Sequence, residues 1–216
     1  MRIEKWIHSC IVVEDGGARV LMDPGRFSFR DGVVDPGRFR DLAAIVITHE
    51  HIDHMDEDAL KTIRANNPKA PLIANASIAA KLSDVTVMES GKQRFGGIEI
   101  EAVPAAHADL LNATPPKNVG YVVNGRLLHP GDSFDSALDA KKGIDILALP
   151  VMAPWNTELM VAAFATRLAP KVVIPIHDGY GKDFFVKMRH DNYRSYFAKQ
   201  NIEFVSLFDP GATIER

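Results

Sequence analysis

Apolar and polar positions along this chain follow two alternating periods. Residues 9–14 and 19–22 are rich in β-branched and apolar side chains and flank Asp15-Gly16-Gly17, a spacing that predicts a β-hairpin. Residues 43–48 form an unbroken apolar run, Ala-Ala-Ile-Val-Ile before Thr48, as expected of a strand buried on both faces. Residues 98–103, 121–123, 126–128, 146–149 and 172–176 read as further strands. Helical spacing runs through residues 57–66, where Pro68 stops it, and again through 134–142, 157–168 and 184–199. Asn156 is placed to cap the third of these helices, and Pro170 lies just past its end. The chain also echoes itself. A hairpin ending at Asp23 has a counterpart ending at Asp132, and a buried strand delivers His49 as another delivers His177. Two related halves facing each other would explain this, and so would chance similarity between short hairpins.

Composition narrows the class. A chain of 216 residues can bury a substantial core without staples. With no linker or low-complexity segment, residues 1–216 read as one domain. Its 46% hydrophobic and 25% charged content is that of a soluble globular protein. A net charge of −3 sets up no global field toward nucleic acid or an anionic membrane. No run is long enough to span a bilayer, and the first six residues lack the apolar stretch of a signal peptide. Cys10 is the only cysteine, which excludes an intrachain disulfide and a cysteine-rich zinc site. A reducing cytoplasm is the expected location.

The candidate chemistry sits directly after the first buried run, in Thr48-His49-Glu50-His51-Ile52-Asp53-His54. Residues two apart on an extended segment point the same way, so His49 and His51 can reach one ion together. Asp53 and His54 fall where the chain turns into the next helix and can point to a neighbouring spot. Three imidazoles and a carboxylate offer nitrogen and oxygen ligands suited to zinc, and also to manganese or iron. A polar loop of solvated histidines is the plain alternative. It suits one histidine better than three with an aspartate behind a buried strand.

The cluster matches, residue for residue, the His-x-His-x-Asp-His signature of the metallo-β-lactamase superfamily, and the chain resembles that family over essentially its whole length. Ala105-Ala106-His107-Ala108 is similar to the segment carrying the family's third histidine. Pro130-Gly131-Asp132-Ser133 is similar to its Gly-Asp element, and Ile176-His177-Asp178-Gly179 to its final histidine. The resemblance implies an α/β fold, a four-layer αββα sandwich of two mixed sheets flanked by helices, with the site at one edge of the sheets. It implies that His49, His51 and His107 bind one divalent ion, that Asp53, His54 and His177 bind a second, and that Asp132 touches both. Zinc is the first expectation, with manganese or iron as alternatives. It further implies that Asp23 orients ligands; a simple turn residue before Pro24 is the other reading. A bound ion lowers the pKa of its water from near 16 to roughly 7, giving hydroxide at neutral pH. Asp53 is then the expected catalytic proton acceptor and later donor.

Six further residues stand near these motifs. His8-Ser9, at a strand start, resembles a His-Ser element close to the site in part of the superfamily, and His8 is a candidate contact for a ligand or for substrate. His129 reads as structural or as orienting a ligand, and His190, in a charge-rich helix, as solvated. Trp155 is a candidate for the pocket mouth, with packing as its alternative. Lys117 reads as a solvated loop lysine ahead of a phosphate contact. His51 stands where di-iron oxidases of the family carry glutamate, and Asp132 where the commonest β-lactamases use cysteine. Only one long helix follows His177, unlike the added helical region of glyoxalase-II-type thioesterases, and no arm of the kind that grips transfer RNA is evident. What remains is a resemblance to the compact branch that includes the L-ascorbate-6-phosphate lactonase-like proteins. The chain departs from that branch after Pro150, with Val-Met-Ala-Pro-Trp155-Asn where glycines are usual. The expected function is hydrolysis of a small ester, lactone or phosphodiester, with a small-molecule substrate, no clear nucleic-acid surface and no membrane partner. Ligand capture on the same metal scaffold without turnover stays open, as does a nuclease.

Overall fold

The computed structural model describes residues 1–216. Strands β1 (Arg2–Lys5), β2 (Ile11–Asp15), β3 (Ala18–Met22), β4 (Ala44–Val46), β5 (Leu72–Ala74) and β6 (Val85–Val87) stand side by side in one sheet. Strands β7 (Gly91–Phe95), β8 (Ile98–Pro104), β9 (Val119–Val123), β10 (Leu127–His129), β11 (Ile146–Pro150), β12 (Val172–Ile176) and β13 (Glu203–Phe204) make the second. Strand β14 (Ala212–Glu215) returns to the first sheet and pairs with β1. Both sheets are mixed in the same way. Each has antiparallel neighbours, β1 to β3 and β7 to β10, that give way to parallel ones, β3 to β6 and β10 to β13. Parallel neighbours need crossovers. These carry α1 (Arg26–Phe29), α2 (Glu57–Asn66), α3 (Ala76–Ala79), α4 (Glu158–Leu168) and α5 (Asp183–Ala198).

Period-two alternation sorts the side chains of each strand into layers. Val13, Val20 and Val46 face the second sheet, while Val12, Leu21 and Ile45 pack with Leu60 and Ile63 of α2. In the second sheet Ile146, Ile174 and Ile176 face the first, while Leu147, Leu149 and Val173 pack with Val161 and Phe164 of α4 and Phe197 of α5. The outcome is the expected four-layer αββα sandwich. Strands buried on both faces have no position open to water, which explains the unbroken apolar runs. No helix is long and apolar enough to cross a membrane.

Local expectations need correction in three places. Residues 134–142 form only a 3-10 turn, Ser136–Lys141, capped by the Asp135 carboxylate, which accepts from Ala137 N, and cut short by Gly143 at φ 81°. Thr157, not Asn156, caps α4: its hydroxyl accepts from Met160 N, while Asn156 turns back to Pro150 O and Ala153 N. The strand placed at 126–128 runs one residue later. The self-echo holds for the hairpins β2–β3 and β9–β10 and for the parallel strand beside each. It fails at the histidines, since β4 leads to His49 whereas its counterpart β11 ends at Pro150, and His177 follows β12.

Candidate metal centre

The C-terminal ends of parallel strands from both sheets meet at one edge of the sandwich, where sites in parallel α/β sheets are usually built. Asp23 follows β3, His49 follows β4, Asp132 follows β10 and His177 follows β12, while His107 arrives on the loop after β8. His8 stands at the tip of the β1–β2 hairpin. His8, Asp23 and His177 have φ values of 62°, 46° and 63°. Non-glycine residues seldom occupy this left-handed region; six others in the chain that do, such as Asn124 and Ala169, lie away from the site.

Two sets of donor atoms result, His49, His51, His107 and Asp132 in one, and His8, Asp53, His54 and His177 in the other, each within 4.8 Å. In the first, His49 Nε2 lies 3.1 Å from His51 Nδ1, and Asp132 Oδ2 lies 3.5 Å from His107 Nε2 and 3.9 Å from His49 Nε2. In the second, Asp53 Oδ2 lies 3.5 Å from His177 Nε2 and 3.1 Å from His8 Nε2. Asp132 joins the sets, with Oδ2 3.0 Å from His177 Nε2 and Oδ1 3.1 Å from His54 Nε2. Ligands 2.0–2.1 Å from a tetrahedral ion stand roughly 3.3 Å from one another. The observed spacings are those of donors arranged about common points.

The imidazoles are turned by their far nitrogens. Nδ1 of His54 bonds Asp23 Oδ2 at 2.7 Å, Nδ1 of His107 bonds Ala108 O at 2.6 Å, and Nδ1 of His177 bonds Met152 O at 2.6 Å. Such oxygens only accept, so each Nδ1 donates and each Nε2 is presented to the cluster. Asp23 also accepts from Thr48 N at 2.8 Å and from the Thr48 hydroxyl at 2.7 Å, which locks the end of β4. Close backbone contact shapes the loops. A Cβ on Gly25 would fall 1.7 Å from Asp53 O, and one on Gly131 2.1 Å from Asn118 Oδ1. Buried Asn118 donates to Ala105 O and Pro130 O and accepts from Asp132 N, tying the loop of His107 to that of Asp132.

Charge is unevenly distributed here. Asp23, Asp53 and Asp132 are all buried, and their partners are imidazole, hydroxyl, indole and amide groups rather than lysine or arginine. Burial works against each charge. Even so, His177 and His54 hold the Asp132 carboxyl well below the usual carboxylate range. The hydrogen bond from His8 and the charge of His54 do the same for Asp53, again against burial. Despite its own burial, His54 is pushed well above its ordinary value by Asp132 and Asp23. With no lysine or arginine against these carboxylates, the cavity is short of positive charge. His107 Nε2 is buried without a hydrogen-bond partner, and His54 Nε2 and Asp132 Oδ1, 3.1 Å apart, meet none in hydrogen-bonding geometry, at a cost of roughly 1–3 kcal/mol for each group left unmet. Divalent cations with a taste for nitrogen and oxygen fit both deficits.

Residues 2–177 match the model of the β-lactamase superfamily domain. The chain belongs to this superfamily. It is 33% identical over 186 residues to Protein Rv0786c of Mycobacterium tuberculosis, a match covering 82% of this chain and 84% of that one. It is 27% identical to a UPF0173 metal-dependent hydrolase of Pyrobaculum aerophilum, across 100% of both chains. Its fold is similar to that of Igni18, a metallo hydrolase from Ignicoccus hospitalis, with a TM-score of 0.76, 20% identity and coverage of 100% and 98% of the two chains.

Other residues gather around the superfamily signature. The Trp155 indole donates to Asp132 Oδ2 at 3.2 Å, so it reaches the cluster besides packing on Phe134. The Tyr180 hydroxyl donates to Asp53 Oδ2 at 2.8 Å. No sequence signal pointed to Tyr180, which sits in a short Gly-Tyr-Gly stretch. His129 is buried, accepts from Gly131 N and lies 3.3 Å from Ser9 O, so it pins one sheet's loop to the other's. His190 is not solvated: it is buried, with Nδ1 2.8 Å from Ser206 Oγ and Nε2 3.6 Å from Asp178. Lys117 is exposed and paired with Glu89.

Proposed function

We propose that this superfamily member, with residues 1–216 acting as one domain, is a metal-dependent hydrolase that binds two divalent ions, zinc foremost, and cleaves a small neutral ester or lactone. The observation carrying this reading is the unmatched charge: three buried carboxylates and two donor sets, each within 4.8 Å, with no lysine or arginine among them. Two divalent ions bring four positive charges against those three negative ones. The name of the Pyrobaculum relative, a metal-dependent hydrolase, points the same way. In this reading His49, His51 and His107 hold one ion, Asp53, His54 and His177 the other, and Asp132 both.

Bound ions would supply Lewis acidity toward a carbonyl oxygen and bring the pKa of a coordinated water down to roughly 7. The chain's own groups do the rest. Asp53, held by hydrogen bonds from His8 and Tyr180 on Oδ2, is the group to take a proton from the attacking water and return it to the leaving oxygen. Trp155 Nε1 and the Tyr180 hydroxyl, already directed at cluster carboxylates, are donors within reach of a substrate oxygen. A neutral substrate fits better than a phosphodiester. Four basic side chains on or beside the site's loops are committed to carboxylates, Lys81 to Glu50, Lys117 to Glu89, Arg26 to Asp56 and Lys5 to Asp178, and the exposed Lys182 lies beyond Tyr180 at the start of α5. None of these four stands free to meet a phosphate.

The test is an assay of zinc-loaded protein on a lactone, an aryl ester and an aryl phosphodiester, before chelation, after it, and after zinc is restored. Lactone or ester turnover that follows the metal is expected. Turnover of the phosphodiester alone would overturn the substrate reading, and zinc binding with no turnover at all would favour a ligand-capture protein.

A further inference from the structure

We infer that His8 is not a ligand of the second ion but the hydrogen-bond donor that positions Asp53, and that it thereby governs how tightly that ion is held. This rests on the reading of Asp53, His54, His177 and Asp132 as the holders of the second ion. By distance alone His8 is an equal member of the set. Its Nε2 stands 3.1 Å from Asp53 Oδ2, and its ring centroid 4.0 Å from that of His177.

The far nitrogen of the ring separates the two roles. The backbone N–H of Gly179 points at His8 Nδ1 from 3.0 Å. An amide N–H can only donate, so Nδ1 carries a lone pair, and an imidazole with a bare Nδ1 has its proton on Nε2. That proton faces a carboxylate oxygen, which accepts. His8 Nε2 therefore has no lone pair to offer a metal. The arrangement is the reverse of that at His54, His107 and His177, where Nδ1 faces an oxygen acceptor and Nε2 is free to bind. The same criterion applied to four buried histidines sets His8 apart from the other three.

The surroundings hold His8 in this role. Its carbonyl accepts from His177 N at 3.2 Å, and a Cβ on Gly179 would come within 3.1 Å of His8 Nδ1 and 2.9 Å of the Phe27 ring. Phe27 and Tyr180 stand edge-on to the imidazole, with centroids 4.8 and 5.2 Å away. The Tyr180 hydroxyl donates to the same Asp53 oxygen, but Tyr180 is 49% exposed, whereas His8 is fully buried. His8 is the buried anchor of Asp53, and Tyr180 the half-exposed one.

Two measurements on the full chain decide this. Two-bond proton–nitrogen spectra of histidine-labelled protein, metal-free and loaded with zinc, should show His8 with a protonated Nε2 and a bare Nδ1 in both states. A His8 Nε2 that becomes zinc-bound on loading would overturn the inference. Zinc affinity of each site, measured by chelator competition, should fall roughly 10–100-fold at one site in His8→Ala and stay unchanged at the other. His8→Gln, whose amide can still donate to Asp53, should recover most of that loss. Equal loss in both variants, or none in either, would overturn the inference. Should His8→Ala fail to fold, the spectra and His8→Gln carry the test. A wild type that binds a single ion would sink the two-ion reading, and the spectra would still decide what His8 does.

Discussion

Two sets of buried charge lie side by side at the end of β12, and they are balanced in opposite ways. The Asp178 carboxylate receives the Lys5 ammonium, with Nζ 3.0 Å from each oxygen, and both side chains are buried. Although burial works against it, that ammonium holds the Asp178 carboxyl down at about 2. One residue earlier, His177 enters a cluster whose three carboxylates find no ammonium or guanidinium. Both places bury carboxylates among histidines, so burial and residue type do not distinguish them. What distinguishes them is whether the chain supplies the counter-charge. A carboxylate with its own lysine is structural, and a set without one is built for cations from outside.

Breaking the complete pair should have the largest effect on the stability of the metal-free protein. Asp178→Asn strands the Lys5 ammonium in the interior and should cost about 3–5 kcal/mol in denaturant unfolding, with the number of bound ions unchanged. A loss well under 1 kcal/mol would erase the contrast. Because the folded carboxyl titrates at about 2, below its unfolded value of roughly 3.9, this stabilisation is present above about pH 4 and is lost as pH falls toward 2.

Asp132→Asn should act on the other half of the comparison. Zinc at a thousandfold excess over its Kd stabilises a protein by about 4 kcal/mol for each ion bound. Asp132→Asn should lose most of that increment, and Asp178→Asn should keep it. An increment retained in Asp132→Asn would mean that the carboxylate joining the two donor sets is dispensable. The smallest change is expected from Asp23→Asn, whose side chain can still accept from Thr48 but brings no charge to His54. Zinc affinity should fall roughly 10–100-fold, and an unchanged affinity would reduce Asp23 to a turn residue.

The same contrast explains what could be read from the residues alone. The central strands β4, β11 and β12 were legible because a strand buried on both faces admits only apolar side chains. Strand β1 was not, since buried Lys5 interrupts its apolar pattern and its partner lies 173 residues away. Edge strand β7, Gly91–Phe95, is polar and largely exposed, as edges that resist further pairing tend to be, and it left no strand-like signature. In the candidate site, His49 to His54 stood out because four donor residues fall within six positions. Asn118 and Tyr180 carry no such local pattern and meet the cluster only through loops of the opposite sheet. His190 looked solvated because α5 is rich in charge, yet its partners Ser206 and Asp178 lie outside that helix.

The most direct test of the contrast is the zinc content of folded protein that has been stripped of metal, reloaded and freed of excess ion. The expected result is two ions per chain, in the wild type and in Asp178→Asn alike. One ion, or none, in the folded wild type would contradict the reading of the unmatched carboxylates as a two-cation site.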